Sequence, residues 1–563
     1  MVPDKLLATI QHWTSGEYPG FVSCVNVLSE LKGSDGKEFV GLIHALRDRV
    51  HLLPEHLVRQ LLEPLSDPNS WKDCDTSLIE EVTQLLISIA VHFNDLSQDM
   101  VDILVLLIFT ESAASASDDK KLSVQFFKQL MKVAPQSERL ITERLLHKFP
   151  GWRRPSKDLL WPTMNGLFLF CSSETAKFLS ASSKAAFASK LCHMLIDLEF
   201  SLDDADRVST PQNSKPPVDD EDFKSMRTIT CRFVEEKIST DTGNNWMKLD
   251  LLTWFVLSHL RFLCARSDST KPELDWSLLC TVFKRMRELF SQHILPVSTF
   301  LTAFPLVFLF TTTLRGGLMV NLTEFLWTVV KDEHKITENR INALSFLTFL
   351  MTRVNACFLD LVIELLHEMA GWCVDYVYQN RSRLSRAKIH DLPQTNMVYY
   401  AVCDSLFFTI TQLHASLFDS IYYRSSCDRM PLAQIILSPL NPMSHMKVAL
   451  RDSISLLASA YNLGWSMITV GMGSHLEDPL TCCRLGQLEP SSLFSLPFSA
   501  PRLPLSESFL PRMLRCPRLG KALTDITGSS NQLEPSRRKR QKPNNTTFLV
   551  VDSSKIARII SNN

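Results

Sequence analysis

From Phe358 onward, apolar residues recur at alternating spacings of four and three: Phe358, Val362, Leu365, Met369, Trp372 and Tyr376. That spacing stacks them along one stripe of an α-helix, and Asp360, Glu364, Glu368 and Asp375 fall on the opposite stripe. One face is built for a core and the other for water or a basic partner. The same periodicity predicts helices near 78–92, 99–110, 122–134, 139–149, 158–170, 183–199, 226–238, 246–265, 274–291, 299–313, 318–331, 338–352, 356–379, 396–418 and 442–462. Ser77-x-x-Glu80 and Thr270-x-x-Glu273, with Pro272 in its first turn, read as capping boxes. No alternating strand pattern interrupts the series. Helices of this length joined by short loops predict antiparallel hairpins stacked side by side, an all-α solenoid. No strict sequence period is visible, which favours a HEAT-like array over tetratricopeptide or ankyrin repeats.

Three stretches break the pattern. Ser112 to Lys121 is a serine-rich loop ending in charge. Leu202 to Phe223 carries Asp203, Asp204, Asp206, Pro211, Pro216, Pro217 and Asp219 to Asp222, a composition that predicts a disordered acidic loop. After Gly471 prolines recur and long helices are not expected. The predicted organisation is an N-terminal half of the array at 1–200, the acidic insert at 201–225 and a C-terminal half at 226–470. A proline-rich segment packing on the array follows at 471–520, and an unstructured tail closes the chain at 521–563. A sharper interruption lies at Ile435-Ile-Leu-Ser438-Pro-Leu440-Asn441-Pro442. Its two prolines each remove a backbone donor and bias the residue before them out of the helical region, which predicts a bounded, non-helical corner.

Composition narrows the function. At 563 residues and 45% hydrophobic content, the chain is long and apolar enough for a large core. Only 17 glycines are present, against glycine-rich active-site loops. A net charge of −1 leaves DNA contact possible only locally, because whole-molecule electrostatics will not drive it. The basic loop at Arg381, Arg383, Arg386 and Lys388 is a candidate for such a local contact, against the plainer reading of a solvated loop. The 14 cysteines lie mostly in apolar runs with no CxxC spacing, as expected for reduced, buried thiols, and no signal-peptide core opens the chain. Leu295 to Leu314 is uncharged and long enough to span a bilayer, yet it holds Pro296, Pro305 and a set of serines and threonines. A buried core helix is the expectation there, and no membrane contact.

Catalytic signatures are missing: no phosphate loop, no GxSxG, no HExxH. A non-enzymatic protein without cofactor or metal is expected. The strongest short signal is Arg537, Arg538, Lys539, Arg540 and Lys542, flanked by Pro535 and Pro543, which reads as a nuclear localisation signal. Ser112, Ser115 and Ser117 precede Asp118 and Asp119 and are candidate phosphosites, where each phosphate adds nearly two negative charges.

The corner at Ser438, Leu440, Asn441 and Pro442, followed by the helix from Val448, resembles an element of the RNA polymerase I-specific transcription initiation factor family, of the TIF-IA type. Leu145 to Arg154, with Lys148, Phe149 and Pro150, is similar to a second family motif, and Leu322 to Trp327 to a third. Their collinear order covers about residues 75 to 515. Leu496 to Pro501 departs from the family's pattern in lacking an aspartate. The resemblance implies a HEAT-repeat adaptor that binds RNA polymerase I and bridges it to a promoter-bound core or selectivity factor. It also implies regulation by phosphorylation and a nuclear, nucleolar location. A generic HEAT scaffold or nuclear transport receptor is the alternative expectation.

Overall fold

The computed structural model describes residues 3–14, 16–29, 37–65, 76–93, 96–110, 122–148, 173–200, 245–266, 273–297, 302–381 and 395–465, with 503, 506 and 513–515. Everything below concerns these residues. In chain order the helices are α1 (Pro3–Gln11), α2 (Phe21–Ser29), α3 (Lys37–Arg49), α4 (Glu55–Leu65), α5 (Thr76–His92), α6 (Ser97–Thr110), α7 (Leu122–Val133) and α8 (Ser137–Lys148). Next come α9 (Ser173–Ala176), α10 (Ala181–Phe200), α11 (Asn245–Leu263), α12 (Trp276–Leu289), α13 (Ala303–Thr313), α14 (Gly316–Lys331), α15 (Thr337–Arg353) and α16 (Leu359–Gln379). The series ends with α17 (Met397–Gln412), α18 (His414–Phe418), α19 (Ile421–Asp428), α20 (Leu432–Ile436), α21 (Pro442–His445) and α22 (Val448–Ala460). Among the described residues, β pairing is confined to the isolated bridges Thr14↔Glu17, Ala265↔Leu274 and Val354↔Leu514.

Packing follows a register in which each helix meets the one two places on. α1, α3, α5 and α7 form one row; α6, α8, α10 and α12 form a second, and α2 packs on α4. Two parallel rows of alternating helices are what a hairpin solenoid requires, because each helix buries one stripe against its own row and another against the opposite row. The register changes after α13. There α13 packs on α14 and α14 on α15, while α17 is enclosed by α15, α16, α18, α21 and α22.

Several expectations are corrected in detail. The helix expected at 274–291 starts at Trp276, and its cap is Asp275, whose carboxylate accepts the Leu278 N–H at 3.0 Å; Thr270 and Pro272 lie outside the described residues. That helix runs into a π-turn at Phe290–Ile294 before Pro296 ends it. α5 begins at Thr76, so Ser77 lies inside the helix and not at its cap. The helix expected over 396–418 breaks at Leu413, and that over 442–462 breaks at Met446 and Lys447, leaving the short α21. Helices α1 to α4, α9, α19 and α20 fall outside the predicted ranges, and 158–170 and 226–238 lie outside the described residues.

The uncharged Leu295–Leu314 stretch contains α13, an 11-residue helix buried in the array. Pro305 sits in its first turn, where the missing N–H costs no helical bond. The orphan donors of that turn are met from outside: the buried Glu199 carboxylate, at the end of α10, accepts the N–H groups of Thr302 and Ala303. No helix among the described residues is long and apolar enough to cross a membrane. The described cysteines are free and all buried except the half-buried Cys280. Burial pushes four of these thiols up, Cys24 to about 11 and Cys264, Cys357 and Cys427 to about 12, so those four stay protonated and weakly nucleophilic.

Candidate functional site

The corner between α20 and α21 is tighter than its sequence suggests. Ile435 and Ile436 still belong to α20, and the non-helical part is Leu437 to Asn441. The Asn441 N–H donates to the Ser438 carbonyl at 2.9 Å, closing a turn around Pro439 and Leu440. Asn441 itself is left-handed, with φ 43° and ψ 63°, a region that asparagine tolerates better than other side-chain-bearing residues. Pro442 then takes the first position of α21 with its φ already helical. The Ser444 N–H and hydroxyl both donate to the Asn441 carbonyl, at 3.1 and 2.8 Å.

Two adjacent tyrosines of α17 hold this turn. The Tyr399 and Ser438 hydroxyls share a hydrogen bond of 3.0 Å, and the Tyr400 hydroxyl donates to the Leu440 carbonyl at 2.8 Å. Leu440 and Met443 are buried beneath the turn, while Leu437, just before it, is 67% exposed. Burial raises both phenols, Tyr400 to about 12 and Tyr399 further, so each keeps its proton as a donor through the physiological range.

The same tyrosines begin an aromatic ladder. His445 packs edge-on against Tyr400 at 4.6 Å between ring centroids, Tyr400 on Tyr399 at 5.6 Å, and Tyr399 stacks on Tyr376 at 5.3 Å. Tyr376 meets Trp372 at 5.1 Å, and Trp372 meets Trp327 at 6.3 Å. All these separations lie in the range where ring quadrupoles attract, each pair contributing about 0.5–1.5 kcal/mol beyond area burial. At the far end the Lys331 ammonium lies 5.6 Å from the Trp327 ring and 3.7 Å from the Glu368 carboxylate. Beside the ladder, the Tyr376 hydroxyl donates to Asn396 at 2.8 Å, and the Cys373 and Cys403 sulfurs lie 3.8 Å apart. These groups are fixed donors and packed rings. What they do together is rigidify α14, α16, α17 and the corner as one body.

Two of the motifs read from sequence are therefore brought together: Trp327 and the group Ser438, Leu440, Asn441 and Pro442 are the two ends of one packed chain. The third is not joined to them. Lys148 closes α8, at the other half of the array, and Phe149 and Pro150 lie outside the described residues. Ser112, Ser115 and Ser117, between α6 and α7, also lie outside them, as do Arg383, Arg386 and Lys388, the acidic insert, and Arg537, Arg538, Lys539, Arg540 and Lys542. On α16 the core stripe is as expected, with Val362, Leu365 and Met369 buried. Its acidic face is partly engaged within the chain, since Asp360 accepts the Tyr423 hydroxyl at 3.0 Å and Glu368 faces Lys331. Tyr399 and Tyr400 carry no sequence signal for this role, since their partners lie about 40 residues away. Among the described residues no group of three or more His, Cys, Asp or Glu is placed to hold a metal ion.

A family model described as RNA polymerase I specific transcription initiation factor RRN3 matches residues 7–460. The crystal structure of RNA polymerase I transcription initiation factor Rrn3 superposes with a TM-score of 0.62, at 13% identity, over 92% of this chain and 98% of that one, a likeness of fold. No curated protein sequence matches the chain. With the match running from α1 through α22, and the corner and Trp327 inside it, the chain belongs to the RRN3 family of RNA polymerase I-specific transcription initiation factors.

Proposed function

We propose that this chain is a non-catalytic adaptor that binds RNA polymerase I and recruits it to a promoter-bound core or selectivity factor for ribosomal RNA gene transcription. The observation that carries the reading is the family match across residues 7–460. The architecture supports it: a two-row helical array offers long lateral surfaces, and interfaces of that kind are broad, with polar rims. A rigid ladder from Trp327 to His445 suits a part that must hold one shape between two large partners. A generic scaffold or transport receptor explains the stacked helices but not the family match.

The finer assignments belong to the same proposal. Arg537, Arg538, Lys539, Arg540 and Lys542 serve as the nuclear localisation signal, and the protein works in the nucleus, concentrated in the nucleolus. Ser112, Ser115 and Ser117 are sites where phosphate alters polymerase docking. The array works as two halves, at 1–200 and 226–470, around the acidic insert, with 471–520 packed on it. The direct test is co-purification of the tagged full chain from nuclear extract, followed by reconstitution with purified polymerase I and promoter-bound core factors. Recovery of polymerase I subunits, and bridging that depends on the chain, is expected. Recovery of other partners without polymerase I would overturn the reading.

A further inference from the structure

The last described residues of the chain lie beyond residue 460, where the family match ends, yet they are built into the array. Leu503 and Ser506 are fully buried and Met513 nearly so. Ser506 is seated on α11, where its N–H and its hydroxyl lie 2.9 and 2.7 Å from one oxygen of the buried Asp250 carboxylate. The same hydroxyl is 2.9 Å from the Asp250 carbonyl, 256 residues earlier in the chain. Bonds to an ionised acceptor are the stronger kind, and a carboxylate inside a helical array needs them.

A second attachment lies at the end of α15. The Asn355 N–H donates to the Met513 carbonyl and its side-chain amide to the Leu514 carbonyl, both at 2.8 Å. The Arg515 N–H returns a bond of 2.6 Å to the Arg353 carbonyl, and Val354 and Leu514 form an antiparallel bridge. The Arg515 guanidinium fans over the carbonyls of Met351, Val354 and Cys357. The Met351 carbonyl, like that of Arg353, lies in the last turn of α15, where a helix end leaves acceptors without intrahelical donors at the negative end of its dipole; the Val354 and Cys357 carbonyls belong to the turn that follows. A fork of five N–H donors fits such a set as a single ammonium does not.

We propose that this C-terminal segment is an intramolecular clasp, with one anchor at Ser506 on Asp250 of α11 and the other at Arg515 on the carbonyl end of α15. α11 packs on α10 and α13, and α15 on α14 and α17, so the clasp ties together two parts of the array that pack chiefly on other helices. The seven Cα steps from Ser506 to Met513 span at most about 25 Å, a short tether. Fastening one anchor therefore holds the other at high effective concentration, and the two close and open together. Among the described residues, each anchor consists of a few hydrogen bonds and one apolar plug, Leu503 or Met513. That is far less than a helix–helix interface, so the clasp opens at a lower free energy than the array unfolds. Opening uncovers the Asp250 carboxylate and the α15 carbonyls without dismantling the helices.

The test is hydrogen exchange on the full chain with S506D, R515Q and the double variant, folding being checked by circular dichroism. S506D sets a second carboxylate against Asp250. It should raise exchange at 249–253 and also at the remote 351–357, on the order of tenfold, the scale set by losing one or two buried hydrogen bonds. R515Q should do the same from the other end, and the double variant should raise exchange at both sites further, up to the ceiling set by a fully open clasp. Exchange that rises only beside each substitution would overturn the clasp and leave two independent contacts. Should S506D fail to fold, R515K, which keeps the charge and loses the fork, reads the same coupling: faster exchange at 249–253 supports the clasp and unchanged exchange there refutes it.

Discussion

The two halves of the array solve the same packing problem differently. In the first, α1, α3, α5 and α7 stack in one row and each helix meets neighbours two places away. In the second, α17 is surrounded, and every side chain from Val398 to Gln412 is buried, Asp404, Thr409 and Gln412 included. A row can lose one contact and keep the next, because each repeat depends only on its neighbours. A central helix cannot, since α15, α16, α21 and α22 all take their position from it. The family motifs at Trp327 and Ser438–Pro442 sit in the second arrangement, at opposite ends of the aromatic ladder that crosses α17.

The largest effect should come from breaking that centre. Tyr399→Ala removes a fully buried ring from the middle of the ladder and should cost about 3–5 kcal/mol, the range for large-to-small aromatic substitutions. Phe126→Ala, an equally buried ring on α7, belongs to the same range. The comparison is in how far the damage spreads. Exchange should rise through α15, α16, α17 and α22 for Tyr399→Ala, and stay within α5 to α8 for Phe126→Ala. Equal spread would erase the distinction between the halves.

Acidification should also weaken the second half. His414 is buried and its Nδ1 lies 2.7 Å from the Thr411 carbonyl. Burial holds its pKa below the ordinary histidine value, despite the opposing pull of Thr411 and Asp419. His367, half-buried between α16 and α19, is lowered in the same sense by burial and by Arg429. The unfolded chain therefore takes up protons near pH 6.5 while the folded one does not. The contribution of these groups is complete above that pH and is lost as pH falls through the window below it. Thermal melts should show stability falling between pH 7 and pH 5.5, and His414→Gln should flatten that dependence.

Much of this was legible in the chain, and the reasons differ by element. The stripe of Phe358, Val362, Leu365 and Met369 placed α16 because a half-exposed helix must segregate its faces. The periodicity over 396–418 runs past the end of α17 at Gln412, since a helix buried on every side carries no polar face to mark its end. The helices before residue 65 went unread, and α19 and α20 are too short to establish a period. Asn441 was visible as part of a corner, but its partners Tyr399 and Tyr400 lie about 40 residues away and only the fold joins them. The clasp was invisible for the same reason, Ser506 and Asp250 being joined across 256 residues.

A smaller effect tests the corner's backbone. Asn441→Ala should cost about 1–2 kcal/mol, because an alanine Cβ disfavours the left-handed region, whereas Asn441→Gly should be tolerated within about 0.5 kcal/mol. Urea unfolding resolves the two. Equal losses would mean that the asparagine side chain, and not its backbone conformation, is what the corner uses.

The smallest effect separates two rings of one ladder. Tyr399→Phe deletes a hydroxyl that is paired with Ser438 and strands a partly buried partner, so a loss of about 1–2 kcal/mol is expected. Trp327→Phe deletes an indole N–H that is buried with no hydrogen-bond partner among the described residues. Leaving that donor unsatisfied already costs about 1–3 kcal/mol, and removing it returns that penalty. The smaller ring surrenders some packing and weakens the contact with Lys331, an opposing loss of similar size. The net change should fall within about 1 kcal/mol of zero. Chemical denaturation of both variants decides the matter. A Trp327→Phe loss as large as that of Tyr399→Phe would mean the indole N–H has a partner after all, and that the Trp327 end is held by a polar contact as the corner end is.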